Sequence, residues 1–183
     1  MTRLFFFTLF LSLSAVVLAQ EEPFSRTFES TYFTIRYQSG VSSLEVAKKL
    51  DFSTSPRLVL ENQSNEVTEN PEAVLAKQID ALFLEVSDIL DMRLARFKGE
   101  IKICRELQSL KGVYYHRYNK DLGTVSFYLY DTNTIYIAAS DVKAGVLGHE
   151  MAHAIISQFF VVLPPHKVQE ILAGYVEYQL KKR

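Results

Sequence analysis

Two histidines stand four residues apart in the segment GHEMAHAII, residues 148–156, and a glutamate directly follows the first. On an α-helix this spacing places His149 and His153 on one face, one turn apart, where two imidazoles can bind one metal ion. Glu150 lies about 100° around the helix axis from His149, so it can flank the metal without ligating it and accept a proton from water. The alternative is a pair of hydrogen-bonded helix histidines beside an exposed glutamate.

A third ligand is expected, because catalytic zinc sites usually keep three protein ligands and one open position. Glu170 follows on a second amphipathic helix, and Pro164 and Pro165 permit the chain to reverse before it. Apolar residues surround Glu170, and a carboxylate on such a face needs a cation or a hydrogen-bond partner. We expect Glu170 to turn inward as the third ligand, the alternative being a solvated helix residue. His166, at the expected start of this helix, is another possible ligand.

The two helices follow a β-rich segment at residues 125–139, which predicts a hairpin turning at residues 131–134. Ser140 and Asp141 are good N-cap residues, so the first helix is expected from about residue 142 to 160. The second helix is expected from the prolines to about residue 182.

The first half of the chain supplies the elements against which the two helices can pack. The expected elements are strands at 32–37 and 100–105, a short helix at 43–50, an irregular connection or short hairpin at 51–70, a long amphipathic helix at 71–96, and a short helix followed by a loop within 106–124. These patterns predict an α+β fold in which a small mixed sheet of about four strands packs on the long helix and the histidine-bearing helix. The Glu170 helix would then close the site.

Composition limits the possible functions. The chain has 183 residues, 48% of them hydrophobic, and a formal net charge of −1. A single globular domain over residues 20–183 is expected. The charge balance lacks the excess of basic residues that is typical of nucleic-acid binding. Cys104 is the only cysteine, so an internal disulfide is impossible, and its strand context predicts a small buried core residue.

The N-terminal segment predicts export. One basic residue, Arg3, precedes an uncharged apolar run over residues 4–19, and Val17 and Ala19 suit a cleavage site before Gln20. Residues 1–19 are therefore predicted to be a signal peptide, which implies a secreted or periplasmic protein. The alternative is a retained N-terminal anchor, although the run is short for a membrane span. No stable membrane span is expected after cleavage.

The motif pair resembles the gluzincin zinc metallopeptidases, in particular small secreted members with a peptidase-MA-like domain. In that family H-E-x-x-H is followed by a helix that reads roughly E-G-x-A-x-Y, and Glu170, Ala173 and Tyr175 match this pattern. The hairpin segment NTIYIA and the early segment YFTIRY are also similar to the family. The resemblance covers about residues 30–180 and is weak at residues 51–70.

The resemblance implies a zincin-like fold and a zinc ion held by His149, His153 and Glu170. It implies that Glu150 is the general base in hydrolysis of a peptide bond, with a peptide or protein as the substrate. By the same analogy, residues 125–130 would form the sheet edge beside the cleft, where an extended peptide could add as a strand. The chain departs from larger members at Gly174, where they often carry an acidic residue, and Glu177, two helical turns from Glu170, is the alternative acidic residue.

Three questions stay open at this point. The group that stabilises the charged intermediate has five candidates: Tyr114, Tyr115, His116, Tyr175 and Tyr178. The alternative function is a non-catalytic zinc-binding scaffold or partner-binding protein, and the oligomeric state is not determined. A membrane-surface protein is disfavoured, because the sequence shows no evident basic helix with an apolar face.

Overall fold

The computed structural model describes residues 24–50 and 70–182. The predicted signal peptide and the connection predicted at residues 51–70, apart from Asn70, lie outside the described residues. In the described part of the chain the fold is α+β, as expected, with a mixed sheet and five α-helices.

The sheet has five strands, one more than the sequence patterns predict. The strands are β1 (Arg26–Glu29), β2 (Phe33–Tyr37), β3 (Gly99–Cys104), β4 (Ser126–Leu129) and β5 (Thr134–Ala138), in the order β1-β2-β3-β5-β4. β2, β3 and β5 run parallel, and the outer strands β1 and β4 pair antiparallel with β2 and β5. The predicted hairpin at 125–139 is confirmed, and it makes β4 an edge strand of this sheet.

The described residues form five helices, as expected, but the end of one helix and the start of another differ from the prediction. They are α1 (Ser43–Lys49), α2 (Pro71–Leu90), α3 (Leu107–Tyr118), α4 (Ala144–Phe159) and α5 (His166–Lys181). The prediction that the long helix reaches residue 96 is wrong. Asp91 adopts a left-handed conformation with φ 51° that ends α2, and Met92 and Leu94 pack against the core from the loop that follows. Met92 and Leu94 are apolar and follow the helix in sequence, so the apolar pattern predicted a longer helix, although both residues lie in the loop.

The histidine-bearing helix begins at Ala144 rather than near residue 142. Ser140 and Asp141 do not cap it, because they belong to a short 3₁₀ turn, Ala139–Asp141, in which Ser140 Oγ donates to Asp141 Oδ2. Lys143 is the residue before the first helical turn, and its side chain makes no capping hydrogen bond. The end of α4 and the start of α5 after Pro165 agree with expectation.

Strand alternation divides the buried residues between the two faces of the sheet. On one face the isoleucines of β2, β3 and β5 pack with α2 and α4 in the larger core. On the other face Cys104, Tyr136 and Ala138 pack with Leu110 and Val113 of α3. Cys104 is thus a buried core residue, as predicted.

α4 lies between the sheet and α5. It contacts β4 and β5 on one side, while α5 packs along its other side and covers the end of the site. Among the helices of the described ranges, none combines the length and apolar character needed to cross a bilayer.

Candidate metal centre

His149 and His153 project from one face of α4, as their spacing predicts. Their Nε2 atoms lie 3.3 Å apart, and the ring centroids are separated by 5.0 Å. The neighbouring positions Met151, Ala152 and Ile155 are fully buried and fix this helix against the core. The imidazoles therefore stand at the margin of the core and face the cleft between α4 and α5.

Glu170 reaches the two histidines from α5. Its Oε1 lies 3.3 Å from His153 Nε2, and its Oε2 lies 3.6 Å from His149 Nε2. One donor atom from each of the three residues lies within 4.8 Å of the others, a spacing that could hold a metal ion. The fold thus brings together the three residues that the sequence predicts as ligands. Their binding of a metal stays a prediction.

Gly148 allows α5 to approach α4 beside the ligands. A Cβ at this position would overlap Leu180 of α5 and would also contact Val86 and Val176. Without a side chain at residue 148, Leu180 packs closely against α4 beside His149. The atom that comes nearest to residue 148 belongs to the side chain of Leu180.

A second carboxylate of α5 faces the far side of the His149 ring. Glu177 Oε2 lies 3.4 Å from Nδ1, a buried atom that makes no well-aligned hydrogen bond within the described residues. Metal-ligating histidines almost always donate the other ring N–H to a carboxylate, a carbonyl or water. Glu177 stands where such an acceptor is needed, whereas Gly174 has no side chain to offer.

His166 contacts Glu170 rather than joining the cluster. Its Nε2 lies 3.4 Å from Glu170 Oε1, and its side chain is 85% exposed. The group of mutually close donor atoms in the described residues comprises His149, His153 and Glu170 without His166. Geometry therefore favours Glu170 over His166 as third ligand.

Glu150 lines the same cleft as the two histidines and is hydrogen-bonded to the edge strand of the sheet. Ser126 Oγ donates a hydrogen bond of 2.7 Å to its Oε1, and the backbone of Tyr128 donates another. The pKa of Glu150 is raised from 4.5 to about 7, chiefly by burial; the Glu170 and Glu177 carboxylates contribute to this rise, and the two hydrogen bonds oppose it. A carboxyl group with a pKa near neutrality can both accept and release a proton at neutral pH.

The environment of His153 favours its neutral form. Burial lowers the pKa of His153 from 6.5 to about 4; the Glu170 carboxylate opposes this shift, and the neighbouring His149 and His166 add to it. A neutral imidazole keeps the lone pair that a metal ligand must offer.

These residues line a cleft of about 420 Å³. β4 and the turn after it form one wall, α4 forms the floor, and Leu163 and α5 form the other wall. In the described part of the chain β4 pairs with β5 on one side only. The cleft therefore runs beside an edge strand, on which the Ser126 carbonyl accepts from Thr124 Oγ1 and the Tyr128 backbone donates to Glu150.

None of the five candidate electrophiles lines this cleft. Tyr114 packs against Phe127 on the other side of the sheet, while Tyr115 and His116 lie exposed on α3. Tyr175 and Tyr178 lie on the exposed outer side of α5.

The hydroxyl-bearing aromatic residues of the cleft are Tyr128 and Tyr130 instead. The hydroxyl of Tyr128 is engaged by Asn133 and Ser157, whereas that of Tyr130 makes no hydrogen bond with the rest of the described chain. The period of two along β4 could have indicated them, because it places residues 126, 128 and 130 on the same side as Glu150.

The chain was compared with protein-family models, curated proteins and solved structures, and none of them matches it. The resemblance to gluzincins consequently depends on the motif residues and on the geometry of this site.

Proposed function

We propose that this chain is an exported zinc metallopeptidase of the gluzincin type, with a zincin-like domain over residues 20–183. The observation that carries the proposal is the convergence of Glu170 of α5 on His149 and His153 of α4. Two nitrogen donors and one carboxylate are the protein ligand set of several hydrolytic zinc enzymes.

His149, His153 and Glu170 would hold the metal, and their chemistry fits zinc. The donor atoms lie within 4.8 Å of one another, and the unpaired Nδ1 of His149 faces Glu177, as a ligating histidine requires. Zinc bound there would supply Lewis-acid chemistry, polarising a carbonyl and making water acidic enough to react near neutral pH.

Glu150 would act as the general base. Its carboxylate follows directly after a ligand yet is held apart from the cluster by Ser126, so it can take a proton from the attacking water and pass it to the departing amine. Its raised pKa suits both transfers.

The outer edge of β4 would bind the substrate through the backbone groups that Thr124 and Glu150 do not already engage. An extended peptide that adds to this edge forms main-chain hydrogen bonds along the cleft and brings a peptide bond beside Glu150. Such binding depends mainly on backbone groups and therefore fits a polypeptide substrate.

Tyr130 would stabilise the negative charge that develops on the carbonyl oxygen. It lies in the turn after β4, lines the cleft and offers a hydroxyl without an internal partner. Two other exposed donors of the cleft are already engaged, because His166 contacts Glu170 through Nε2 and Thr124 Oγ1 donates to the Ser126 carbonyl. Tyr130 is thus the better placed donor for an oxyanion.

Metal analysis of the purified chain, combined with cleavage of a broad peptide library, tests this proposal. We expect one zinc per chain in the wild type, loss of zinc in Glu170→Ala and His153→Ala, and normal zinc in Glu106→Gln and His116→Ala. Glu106 and His116 lie outside the cleft and serve as matched controls. Zinc should persist without hydrolysis in Glu150→Gln.

Two outcomes would contradict the proposal in different ways. Unchanged zinc in Glu170→Ala would remove the gluzincin ligand set. Zinc binding without cleavage of any peptide by the wild type would favour the alternative of a non-catalytic zinc-binding scaffold.

A further inference from the structure

The loop between α4 and α5 exposes consecutive apolar side chains. Val161 is fully exposed and Val162 is 82% exposed, and the loop ends in two prolines that restrict its backbone. Single exposed apolar residues are common on soluble proteins, but adjacent ones at the tip of a rigid loop mark a binding surface. These two valines are called the tip.

The outer face of α5 continues this apolar surface. Its exposed apolar residues, called the outer stripe, recur at helical spacing: Val168, Ile171, Tyr175 and Tyr178. Ala173 and Val176, on the opposite side of the helix, are fully buried against the core. α5 is therefore apolar on two sides, and only one of these sides is covered in the described structure.

Charges are distributed unequally around the same helix. Both carboxylates of α5, Glu170 and Glu177, turn toward His149. Lys181 pairs with Glu177, which leaves Lys167 and Lys182 as the cations at the two ends of the helix, and the Nζ of Lys182 lies 4.4 Å from the ring centroid of Tyr178. The apolar surface is consequently flanked by cations, with the helix's own acidic groups directed away from it.

We propose that the tip and the outer stripe dock this protein on an anionic lipid surface. Valines can enter the acyl region, tyrosines suit the boundary between water and hydrocarbon, and flanking lysines attract acidic headgroups. A second copy of the chain suits the surface less well, because a symmetric contact would bring the lysines of two α5 helices together.

Docking in this way places the cleft at the membrane surface. Leu163, which directly follows the tip, and His166, two residues before the outer stripe, both line the cleft. If the proposed function holds, the substrates are polypeptide segments that lie at or emerge from the lipid surface. This consequence rests on the proposed peptidase activity, whereas the docking itself does not.

The chain contains no tryptophan, so a single introduced tryptophan reports on its own surroundings. Val162→Trp places the reporter at the tip, and Leu44→Trp places a matched reporter on α1, where Leu44 is similarly apolar and exposed. The full chain, purified as the exporting cell releases it, is mixed with phosphatidylcholine vesicles that do or do not contain phosphatidylglycerol. Some vesicles also carry brominated acyl chains, which quench only a tryptophan that enters the hydrocarbon.

With acidic vesicles, we expect the indole emission of the Val162→Trp variant to shift to the blue and to be quenched by brominated lipid. The emission of the Leu44→Trp variant should change little. Equal quenching of both variants, or no quenching of Val162→Trp, would overturn the proposal. A blue shift of Val162→Trp that depends on protein concentration and occurs without lipid would show a second copy on this surface and would equally overturn it.

The lysines provide an independent test. In the Val162→Trp background, Lys167→Gln and Lys182→Gln should each lower the affinity for acidic vesicles about five-fold, and added salt should lower it further. Lys111→Gln, on the exposed side of α3, should leave the affinity unchanged. Unaltered affinity in both α5 variants would overturn the charge complementarity on which the proposal depends. Both measurements are made without a peptidase assay, so they remain decisive if the proposed activity fails.

Discussion

Glu177 Oε2 lies 3.4 Å from the buried Nδ1 of His149, two helical turns beyond Glu170 on the same helix. Two carboxylates of α5 therefore face the two nitrogens of one imidazole. Larger gluzincins often carry an acidic residue four positions after the glutamate ligand, and this chain has Gly174 there. The geometry allows Glu177, seven positions after Glu170, to orient His149 instead.

This relationship predicts that Glu177→Ala weakens zinc binding without abolishing it. Removing the partner of a ligating histidine typically lowers metal affinity by about 10- to 100-fold. Zinc affinity would be measured by competition with a chromophoric chelator. Glu177 also pairs with Lys181, with 2.5 Å between Oε1 and Nζ, so Lys181→Gln is the matched control. An equal loss in Lys181→Gln would assign the effect to that ion pair rather than to orientation of His149.

The buried carboxyl of Glu150 predicts a pH-dependent stability of the metal-free protein. Its folded pKa is about 7 against 4.5 in the unfolded chain, so the folded state binds more protons between these values. Its contribution to stability is complete at low pH and is lost as the pH rises through this range. Glu150→Gln has no carboxyl group to ionise, so it does not lose this stability as the pH rises. Its free energy of unfolding should therefore exceed that of the wild type by an amount that grows with pH to on the order of 3 kcal/mol.

Urea unfolding in the presence of a chelator, repeated across this pH range, measures the difference. His153 acts in the opposite direction, because its lowered pKa of about 4 makes acidification destabilising. Comparing the variant with the wild type at each pH isolates the Glu150 contribution. A constant difference across the range would show that Glu150 titrates normally.

Tyr130 is predicted to act on the rate of the chemical step. Tyr130→Phe removes a hydroxyl from the cleft wall while keeping the ring, so kcat should fall by about 100-fold or more with little change in KM. Tyr115→Phe, on the exposed side of α3, should behave as the wild type. A rise in KM at constant kcat would show that Tyr130 binds substrate without stabilising the charge.

The features predicted best from the sequence are those that follow from helical geometry and from the spacing of apolar residues. His149 and His153 had to share a face, and the two prolines indicated that the Glu170 helix would fold back. The apolar neighbours Val168 and Ile171 did not mark an inward face, because they are exposed and Glu170 itself is 43% exposed. The position of Tyr114 could not be inferred, because it depends on which face of the sheet α3 covers. The outer stripe was also missed, since periodicity alone does not distinguish a helix with one apolar face from one with two.

Two glycines of the site helices are predicted to respond differently to alanine. A Cβ at Gly174 would meet no atom within 4 Å, so Gly174→Ala should favour the helical backbone and stabilise the protein by about 0.5–1 kcal/mol. At Gly148 the added methyl would overlap the end of the Leu180 side chain, which must shift, and the cost of this shift opposes the gain from the helical backbone. Thermal unfolding of the metal-free variants should show a higher Tm for Gly174→Ala than for Gly148→Ala.

The zinc affinities of Gly148→Ala and Gly174→Ala test whether the contact between α4 and α5 positions the predicted ligands. Gly148 precedes His149, and displacement of Leu180 moves the helix that carries Glu170. Zinc affinity should therefore fall in Gly148→Ala and stay unchanged in Gly174→Ala. Replacing Leu180 by alanine in the Gly148→Ala background removes the overlapping side chain and should restore much of the zinc affinity. Failure of this double variant to recover would mean that the methyl group perturbs α4 itself rather than its contact with α5.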